Sequence, residues 1–328
     1  MLTSSRYYLG ADVGGTKTHI LIANQNGQAV GFGEGGAGNQ EMVGYMGLIQ
    51  SLCTAFERAI ASAGITPDQI AGAGFGVAGY DWPDQEAPTL EAIGRLGLKA
   101  PLAAVNDTIL GLLAGSAEGW GVAVVSGTGC NCWGWDRTRQ RVGRVTGGGV
   151  SMGEASGASE LIFEAVQAVA HQWTCRGPVT TLTPAFLRHT GARDLPDLLS
   201  GLMDGRYSVE ADAAPLVFQA AADGDGVAIE LIHWAGRELG ELAKAVIRQL
   251  GFEHLEFDVV QIGSLYDGSP LLNSAMRQTI HAVAPYARLV RLKAPPVVGS
   301  VLLGMEQAGF QPTPVIRQSL VETTKQMR

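Results

Sequence analysis

The stretch YYLGADVGGTKTHILIAN, residues 7–24, decides the fold of this chain. Two apolar runs, residues 7–12 and 18–24, flank a polar turn that contains two glycines, a pattern typical of two consecutive β-strands. Asn26-Gly27 follows and is a strong hairpin signal, which predicts a third strand over residues 29–33. The chain therefore opens with three strands joined by tight turns.

Alternating strands and helices continue from this opening. The spacing of apolar residues predicts a helix over residues 41–63, a strand over 70–77, a strand over 102–105 and a helix over 108–117. Strands that alternate with helices indicate an α/β domain. We expect this first domain to span residues 1–116.

A second stretch, VAVVSGTGCNCWGW at residues 122–135, repeats the order of strand, glycine turn and strand. The repetition suggests an internal duplication, with residues 141–146 as the third strand. The rest of this half is more helical, so we expect a second α/β domain over residues 117–328, whose last helix packs back on the first domain. Its predicted elements are helices over 154–174, 226–250, 269–283 and 297–309, and a strand over 257–262.

Composition and charge exclude several classes of protein. The 328 residues carry a net charge of −8 and no basic run, so we expect neither nucleic acid nor an anionic membrane as a partner. No stretch approaches ~20 apolar residues, and residues 1–6 contain no apolar leader segment. Four cysteines are too few for a disulfide scaffold, and the isolated Cys130-x-Cys132 pair is a weak metal signal. We predict a cytoplasmic protein.

The first glycine turn has the chemistry of a phosphate-binding loop. Gly14 and Gly15 let the backbone approach a ligand, and successive N–H groups at such a turn bind anions. Thr16 and Lys17 add a hydroxyl and an ammonium donor. Asp12, at the end of the preceding strand, could hold Mg²⁺ through water. We therefore predict that this turn binds the phosphates of a nucleotide.

The second glycine turn offers the same chemistry through Gly127, Thr128 and Gly129. Glycine as a whole is concentrated in this part of the chain, because 31 of the 45 glycines lie in residues 1–157. We interpret the excess as marking segments where backbone approaches phosphate or sugar.

Two other motifs carry less weight. Residues 74–79 match the G-x-G-x-x-G of dinucleotide sites, but a loop follows them where such a site needs a helix. Residues 149–153 match the G-x-S-x-G of a nucleophile elbow, but the segment before them is too polar for the buried strand that an elbow requires. We expect neither a Rossmann site nor a serine hydrolase.

The two turns, taken with Gly38-Asn39, Asn106-Asp107, the glycines at 147–149 with Glu154, and Gly263-Ser264, resemble the sugar kinase/actin/Hsp70 superfamily. Among its members the chain is most similar to the N-acetylglucosamine kinase branch of the BadF/BadG/BcrA/BcrD ATPases. The resemblance extends from residue 10 to about residue 309. It implies two ribonuclease H-like (actin-like ATPase) domains with a central cleft, ATP and Mg²⁺ as cofactors, an amino sugar as substrate and a homodimer.

The resemblance also implies roles for the nucleotide-binding positions. Asp12 would organise Mg²⁺, and Thr16 would contact the phosphates of ATP. Thr128 would hold phosphate from the other domain, while Gly263 and Ser264 would border the adenosine. The remaining glycines of the two turns and Lys17 would complete the phosphate site.

Asp107 is, by the same resemblance, the base for the sugar 6-hydroxyl. It also stands between a strand and a helix, where Asp commonly caps the helix, so both roles are open at this point. The sugar-lining positions that the resemblance implies are Asn39, Asp107, Gly147, Gly148, Gly149 and Glu154.

Several functional alternatives follow from the same residues. Glu154 replaces an Asp of the N-acetylglucosamine kinases, and the neighbouring glycines lack the aromatic residue of that branch. Glucosamine and N-acetylmuramic acid are therefore alternative acceptors. The family also contains ATPase activators of 2-hydroxyacyl-CoA dehydratases, which carry an Fe–S cluster. Only Cys175 follows residue 135 in this chain, which disfavours that alternative.

Overall fold

The computed structural model of the protein describes residues 6–327. Residues 1–5, for which the sequence predicts no leader, and residue 328 lie outside the described part. The chain divides into two compact units. The first contains the described residues up to Ala123, Asp136–Arg139 and the chain from Val290 onward, and the second contains Val124–Trp135 and Gln140–Leu289. The first unit thus continues to Ala123, past the expected boundary after residue 116, and it includes the segment of the helix that we expected to pack back on this domain.

A five-stranded mixed sheet forms the centre of the first unit. Its strand order is β3-β2-β1-β4-β5, with β1, β2 and β3 antiparallel and β1, β4 and β5 parallel. The strands are β1 (Tyr7–Val13), β2 (Thr18–Asn24), β3 (Ala29–Gly35), β4 (Ile70–Val77) and β5 (Leu102–Asn106). The strands predicted from the sequence in this region are therefore confirmed.

Helices cover both faces of this sheet, and glycines in the strands let them approach closely. The five helices are α1 (Gln40–Ala63), α2 (Glu86–Gly94), α3 (Asp107–Gly115), α10 (Val297–Gln307) and α11 (Pro314–Gln326). A Cβ on Gly33 would lie 2.0 Å from the Ala55 carbonyl oxygen of α1, and one on Gly74 would lie 2.2 Å from the Ser300 carbonyl oxygen of α10. Much of the glycine excess therefore serves helix packing, a use of glycine that the interpretation from composition did not include.

The C-terminal helix α11 is a feature that the sequence pattern did not reveal. Thr313 caps it, Leu320 is fully buried in the core formed by β1, β2 and α10, and the Thr323 hydroxyl accepts a 3.0 Å hydrogen bond from the Ala29 N–H. Arg317 donates to the carbonyl oxygens of Leu113 and Ser116 near the end of α3 at 2.6 and 2.9 Å. These contacts are distant in sequence, which is why a local pattern does not show them.

The second unit repeats the strand order of the first. Its sheet has the order β8-β7-β6-β9-β10, which matches β3-β2-β1-β4-β5 position by position and supports the predicted duplication. The strands are β6 (Gly121–Ser126), β7 (Cys130–Trp135), β8 (Val142–Arg144), β9 (Phe257–Ile262) and β10 (Ala287–Arg291).

Six helices complete the second unit, and one of them begins later than the sequence predicts. They are α4 (Ala158–Trp173), α5 (Leu182–Thr190), α6 (Leu195–Asp204), α7 (Ala214–Ala222), α8 (Gly226–Leu250) and α9 (Pro270–His281). The predicted helix over 154–174 is wrong at its start, because Gly153 adopts a left-handed conformation and the Glu154 side chain bonds backbone N–H groups behind it. Within residues 6–327 no helix is both long and apolar enough to cross a bilayer.

Candidate active site

Asp107 lies at the junction between β5 and α3. Asn106, the last residue of β5, caps the helix, since its Oδ1 accepts a 2.9 Å hydrogen bond from the Thr108 N–H. The role of helix cap that the sequence left open for Asp107 is therefore wrong. Asp107 is instead the first residue of α3, where the helix dipole favours a negative charge.

A second carboxylate, that of Asp81, holds the capping residue in place. Asn106 Nδ2 donates to Asp81 Oδ1 at 3.0 Å, and both residues are buried. The backbone N–H groups of Asp81 and Trp82 donate to Gln85 Oε1 at 2.8 and 2.7 Å, which fixes the loop. Asp81 was not among the residues predicted from the sequence. Its place just after β4 was an available signal, because ligands of open α/β sheets bind at the carboxyl ends of strands.

Three carboxylates meet at this edge of the first sheet. Burial chiefly, and then repulsion from the carboxylates of Asp12 and Asp81, raise the pKa of Asp107 to about 7, although contacts with Thr108 offset part of the effect. Asp12 lies near the end of β1, and β1, β4 and β5 run parallel, which brings the three acids together. A carboxyl group with this pKa can accept a proton near neutral pH.

The turn between β1 and β2 contains the predicted phosphate-binding residues of the first unit. The Gly14 N–H donates to the Lys17 carbonyl oxygen at 2.9 Å and closes the turn. Thr16 is exposed, and a Cβ on Gly15 would have no neighbour nearer than 3.6 Å, so space remains above the turn for a ligand. The Lys17 ammonium lies 3.5 Å from the Glu34 carboxylate.

Asn39, a predicted sugar residue, follows a segment that is hydrogen-bonded to this turn. The Gly38 N–H donates to the Gly14 carbonyl oxygen at 3.0 Å. The Asn39 side chain caps α1 by accepting a 2.8 Å hydrogen bond from the Glu41 N–H. The backbone of the phosphate turn therefore fixes the position of this capping side chain.

The second glycine turn sits on the N-terminus of α4. The N–H groups of Ala158 and Ser159 donate to the carbonyl oxygens of Gly127 and Thr128 at 2.8 and 3.0 Å. A Cβ on Gly127 or Gly129 would meet no atom within 4 Å. The first N–H groups of α4 thus hold the turn in place, and the glycines leave open space above it for a ligand.

Gly263 and Ser264, at the end of β9, join this turn. Gly263 has a φ of +105°, and a Cβ on it would lie 2.1 Å from the Ser126 carbonyl oxygen, so only glycine fits there. Ser264 lines a cavity of about 400 Å³ together with Gly127 and Thr128. The structure therefore brings two of the predicted nucleotide segments, which are far apart in sequence, into one cavity.

A second cavity, of about 610 Å³, continues from the first at Ser264. Its walls are mostly apolar, which suits a flat aromatic base. The apolar residues that line it include Ala214, Pro215, Phe218, Ala222 and Leu265. These residues were not predicted from the sequence, because the helix α7 that carries most of them has no motif.

Glu154 orders the glycine loop that the sequence assigned to the sugar. The carboxylate is buried and accepts hydrogen bonds from the N–H groups of Thr146 and Gly147 at 2.5 and 2.8 Å. The Glu154 N–H in turn donates to the Gly149 carbonyl oxygen at 3.0 Å. Glu154 therefore fixes the backbone of residues 147–149, and its contact with a sugar stays a prediction.

Comparison with known proteins gives a context for this geometry. A family model described as the BadF/BadG/BcrA/BcrD ATPase family matches residues 9–304. The chain belongs to this family. The match covers both glycine turns, Asp107 and Gly263-Ser264, so the predicted membership is confirmed.

Curated and solved proteins similar to this BadF/BadG/BcrA/BcrD family member include sugar kinases. The N-acetylmuramic acid/N-acetylglucosamine kinase of Clostridium acetobutylicum is 22% identical over 92% of this chain and 99% of its own length. The N-acetyl-D-glucosamine kinase of Dictyostelium discoideum is 25% identical over 92% and 98%. A solved structure from Chromobacterium violaceum, described as a candidate N-acetylglucosamine kinase, is 26% identical, covers 92% and 99%, and superposes with a TM-score of 0.64.

Cys130 and Cys132 of this BadF/BadG/BcrA/BcrD family member are neutral thiols near pH 7. Burial raises the pKa of the Cys130 thiol to about 12, and the pKa of Cys132 is also raised well above its usual value. A neutral thiol is a weak nucleophile. Among residues 6–327 no group of three or more His, Cys, Asp or Glu side chains is arranged to hold a metal ion.

Proposed function

We propose that the chain is an ATP-dependent kinase that transfers the γ-phosphoryl group of ATP to the 6-hydroxyl of an amino sugar, with N-acetylglucosamine as the first acceptor. The observation that carries the proposal is the Asp107 carboxyl group. Its pKa of about 7 and its freedom from the capping role make it suitable as a base for an alcohol. The kinase names of the two curated relatives support the same activity.

ATP would bind with its phosphates at the second glycine turn and its base in the apolar cavity beside α7. The open space above Gly127 and Gly129 leaves room for phosphate at the backbone of this glycine turn. Asp12 is the carboxylate placed to organise Mg²⁺, which usually takes one or two carboxylates together with the phosphates of the substrate. Mg²⁺ would neutralise the charge that develops on the transferred group.

The residues of this chain would accept the hydroxyl proton and position the sugar hydroxyl. The sugar 6-hydroxyl oxygen forms a bond to the γ-phosphorus, the bond from that phosphorus to the ADP oxygen breaks, and the hydroxyl proton passes to the Asp107 carboxylate. Because phosphoryl transfer has a loose transition state in most analyses, positioning of the hydroxyl contributes more than its early deprotonation. Asn106 and Asp81 supply that positioning through the start of α3.

N-acetylmuramic acid and glucosamine remain candidate acceptors. The Clostridium relative is named for both N-acetylmuramic acid and N-acetylglucosamine, which supports testing the first of these. The dehydratase-activator alternative lacks support from the curated relatives, both of which are named as kinases. We further propose, from the family resemblance, a cytoplasmic homodimer.

The proposal is tested by ADP release against a panel of acceptors: N-acetylglucosamine, glucosamine, N-acetylmannosamine, N-acetylmuramic acid, glucose and no sugar. We expect release that depends on an amino sugar. Asp107→Asn should lower kcat roughly 10²–10⁴-fold, the usual contribution of a general base. Asp84→Asn, which changes an exposed acid three residues after Asp81, serves as the matched control and should leave kcat unchanged. ADP release that is equal with and without sugar would contradict the kinase proposal.

A further inference from the structure

The two cavities of the second unit share four residues, Ala158, Ala211, Asp212 and Ser264. Asp212 is the one charged side chain among them. One cavity leads from this junction to the glycine turn at Gly127 and Thr128, and the other leads to the apolar wall beside Phe218. A nucleotide bound with phosphates at the turn and base at the apolar wall must therefore place its ribose at the junction.

The segment that carries Asp212 is anchored in the core. Residues Ala211–Ala213 form a short 3-10 turn, closed by a 2.9 Å hydrogen bond from the Ala213 N–H to the Glu210 carbonyl oxygen. Ala213 and Ala214 are buried, whereas the Asp212 side chain is exposed. In the part of the chain that the structure describes, the Asp212 carboxylate has no hydrogen-bond or ion-pair partner. A rigid backbone thus presents an unused acceptor at the junction.

We propose that Asp212 binds the ribose of the nucleotide by accepting hydrogen bonds from its vicinal 2′- and 3′-hydroxyls. The proposal rests on the proposed nucleotide site, and it makes Asp212 the residue that selects ribonucleotides over deoxyribonucleotides. An ionised carboxylate offers two oxygens and only accepts hydrogen bonds, which matches two adjacent hydroxyl donors. Charge-assisted hydrogen bonds are stronger than neutral ones, so loss of either hydroxyl should be measurable.

The preference for ADP over a deoxy analogue arises because the analogue lacks a hydroxyl that the Asp212 carboxylate would otherwise bind. A site built to hydrogen-bond a hydroxyl rejects an analogue that lacks it, because the site's acceptor is then desolvated with nothing to bond. Since Asp212 is exposed, water recovers part of this loss, and we expect a preference of about tenfold rather than the larger ratios of fully buried sites. Replacing Asp212 by Ala removes the acceptor and with it the preference.

The experiment measures dissociation constants of ADP, 2′-deoxyADP and 3′-deoxyADP by calorimetry on the full chain, first with EDTA and without Mg²⁺, and then with Mg²⁺ added. The protein should bind ADP about tenfold more tightly than either deoxy analogue. Asp212→Ala should bind all three within about twofold of one another, and more weakly than the unchanged protein binds either deoxy analogue, because each analogue still makes one of the two hydrogen bonds. Glu210→Ala is the matched control: Glu210 precedes the same turn but lines only the phosphate-side cavity, so the tenfold preference should persist.

The outcomes distinguish a failure of the role of Asp212 from a failure of the proposed function. Equal binding of the three nucleotides by the unchanged protein, or a preference that survives Asp212→Ala, overturns the role of Asp212 while leaving the kinase proposal intact. An Asp212→Ala effect that appears only when Mg²⁺ is added also overturns it, because the carboxylate would then act through the ion. If none of the three nucleotides binds, both the inference and the proposed nucleotide site are contradicted.

Discussion

At the scale of single residues, the site depends on one carboxylate placed beside two others. Asp107, Asp12 and Asp81 come from three segments, and their mutual repulsion adds to the burial that raises the pKa of Asp107. Asn106 takes over the helix cap, so Asp107 can change its protonation state without unravelling α3. Asn106 thus supplies the helix cap, and the neighbouring Asp107 supplies the ionisable carboxyl group.

The first prediction concerns pH. Because the pKa of Asp107 is raised to about 7, the ionised, proton-accepting form is populated above pH 7 and lost below it. We expect kcat/KM for the sugar to fall about tenfold per pH unit below pH 7, since only the ionised fraction acts as a base. The measurement is a pH profile of kcat/KM between pH 5 and 9. An acid limb centred near pH 4, the ordinary range of an Asp, would contradict the assignment.

The same pKa predicts a stabilising substitution. An acid whose pKa is higher in the folded than in the unfolded state contributes stability below its unfolded pKa, and that contribution is lost as pH rises through the folded pKa. The ionised Asp107 carboxylate is therefore a destabilising group at pH 8. Asp107→Asn should raise the midpoint of thermal unfolding at pH 8 and raise it less at pH 6. Equal midpoints for the two proteins at pH 8 would show that the carboxylate carries no such penalty.

Asp81 provides a third prediction. Asp81→Asn keeps an oxygen that can accept the Asn106 Nδ2 hydrogen bond, whereas Asp81→Ala removes it. We expect Asp81→Ala to lower kcat at least tenfold with a smaller change in KM for ATP, because the start of α3 loses its anchor. Asp81→Asn should recover most of that kcat. If both variants reduced kcat equally, the negative charge of Asp81, and not its hydrogen bond, would be the property that matters.

At the scale of elements, the nucleotide site is built where strand ends meet a helix N-terminus. The turn after β6 accepts hydrogen bonds from the first N–H groups of α4, and the end of β9 packs against the same turn at Gly263. Glycines here have two distinct tasks. Gly263 permits a backbone contact, while Gly129 leaves room for a ligand.

These two tasks predict opposite behaviour for one kind of substitution. In Gly263→Ala the new Cβ would lie 2.1 Å from a backbone oxygen at a φ of +105°, so we expect a loss of roughly 3 kcal/mol or more of stability. Gly129→Ala adds a Cβ into open space, so the protein should fold normally but bind ADP more weakly. Urea denaturation and calorimetry with ADP measure the two effects. Normal stability of Gly263→Ala would contradict the close approach.

At the scale of the whole molecule, the chain completes its first sheet with its last helices. The segment from Val290 onward belongs to the first unit, and α10 covers one face of β1 and β4. The first unit is therefore complete only after the second unit has been synthesised. Contacts between residues so distant in sequence form slowly, because the intervening chain loses conformational entropy before the contacts stabilise the fold.

The core beneath α11 supplies the last prediction. Leu320 is fully buried there, whereas Val315 on the same helix is 76% exposed. Leu320→Ala should lower the free energy of unfolding of the first unit by about 2–5 kcal/mol, the usual range for a buried leucine, and Val315→Ala by less than about 0.5 kcal/mol. Urea denaturation compares the two variants. Similar midpoints would indicate that α11 contributes little to the fold.

How far the site could be predicted depends on whether its signal is local. Asp12, Thr128 and Asp107 stand at strand ends marked by glycines and polar residues, and such short patterns are visible in the sequence. Asp212 and Phe218 lie on segments that have no pattern of their own, and only the fold brings them to Ser264. The sequence shows Glu154 as a polar residue near an expected helix start. The helix begins only at Ala158, because the Glu154 carboxylate accepts hydrogen bonds from the N–H groups of Thr146 and Gly147, and these bonds depend on how the loop folds.

The sequence by itself determined the two α/β halves, the paired glycine turns and the family, because these follow from periodicity and from residues adjacent in the chain. Only the tertiary structure decided that Asn106 and not Asp107 caps α3, that burial and the carboxylates of Asp12 and Asp81 raise the pKa of Asp107, and that most strand glycines pack helices. Desolvation, charge repulsion and close packing arise between atoms that are distant in sequence. They act only once the strands lie side by side.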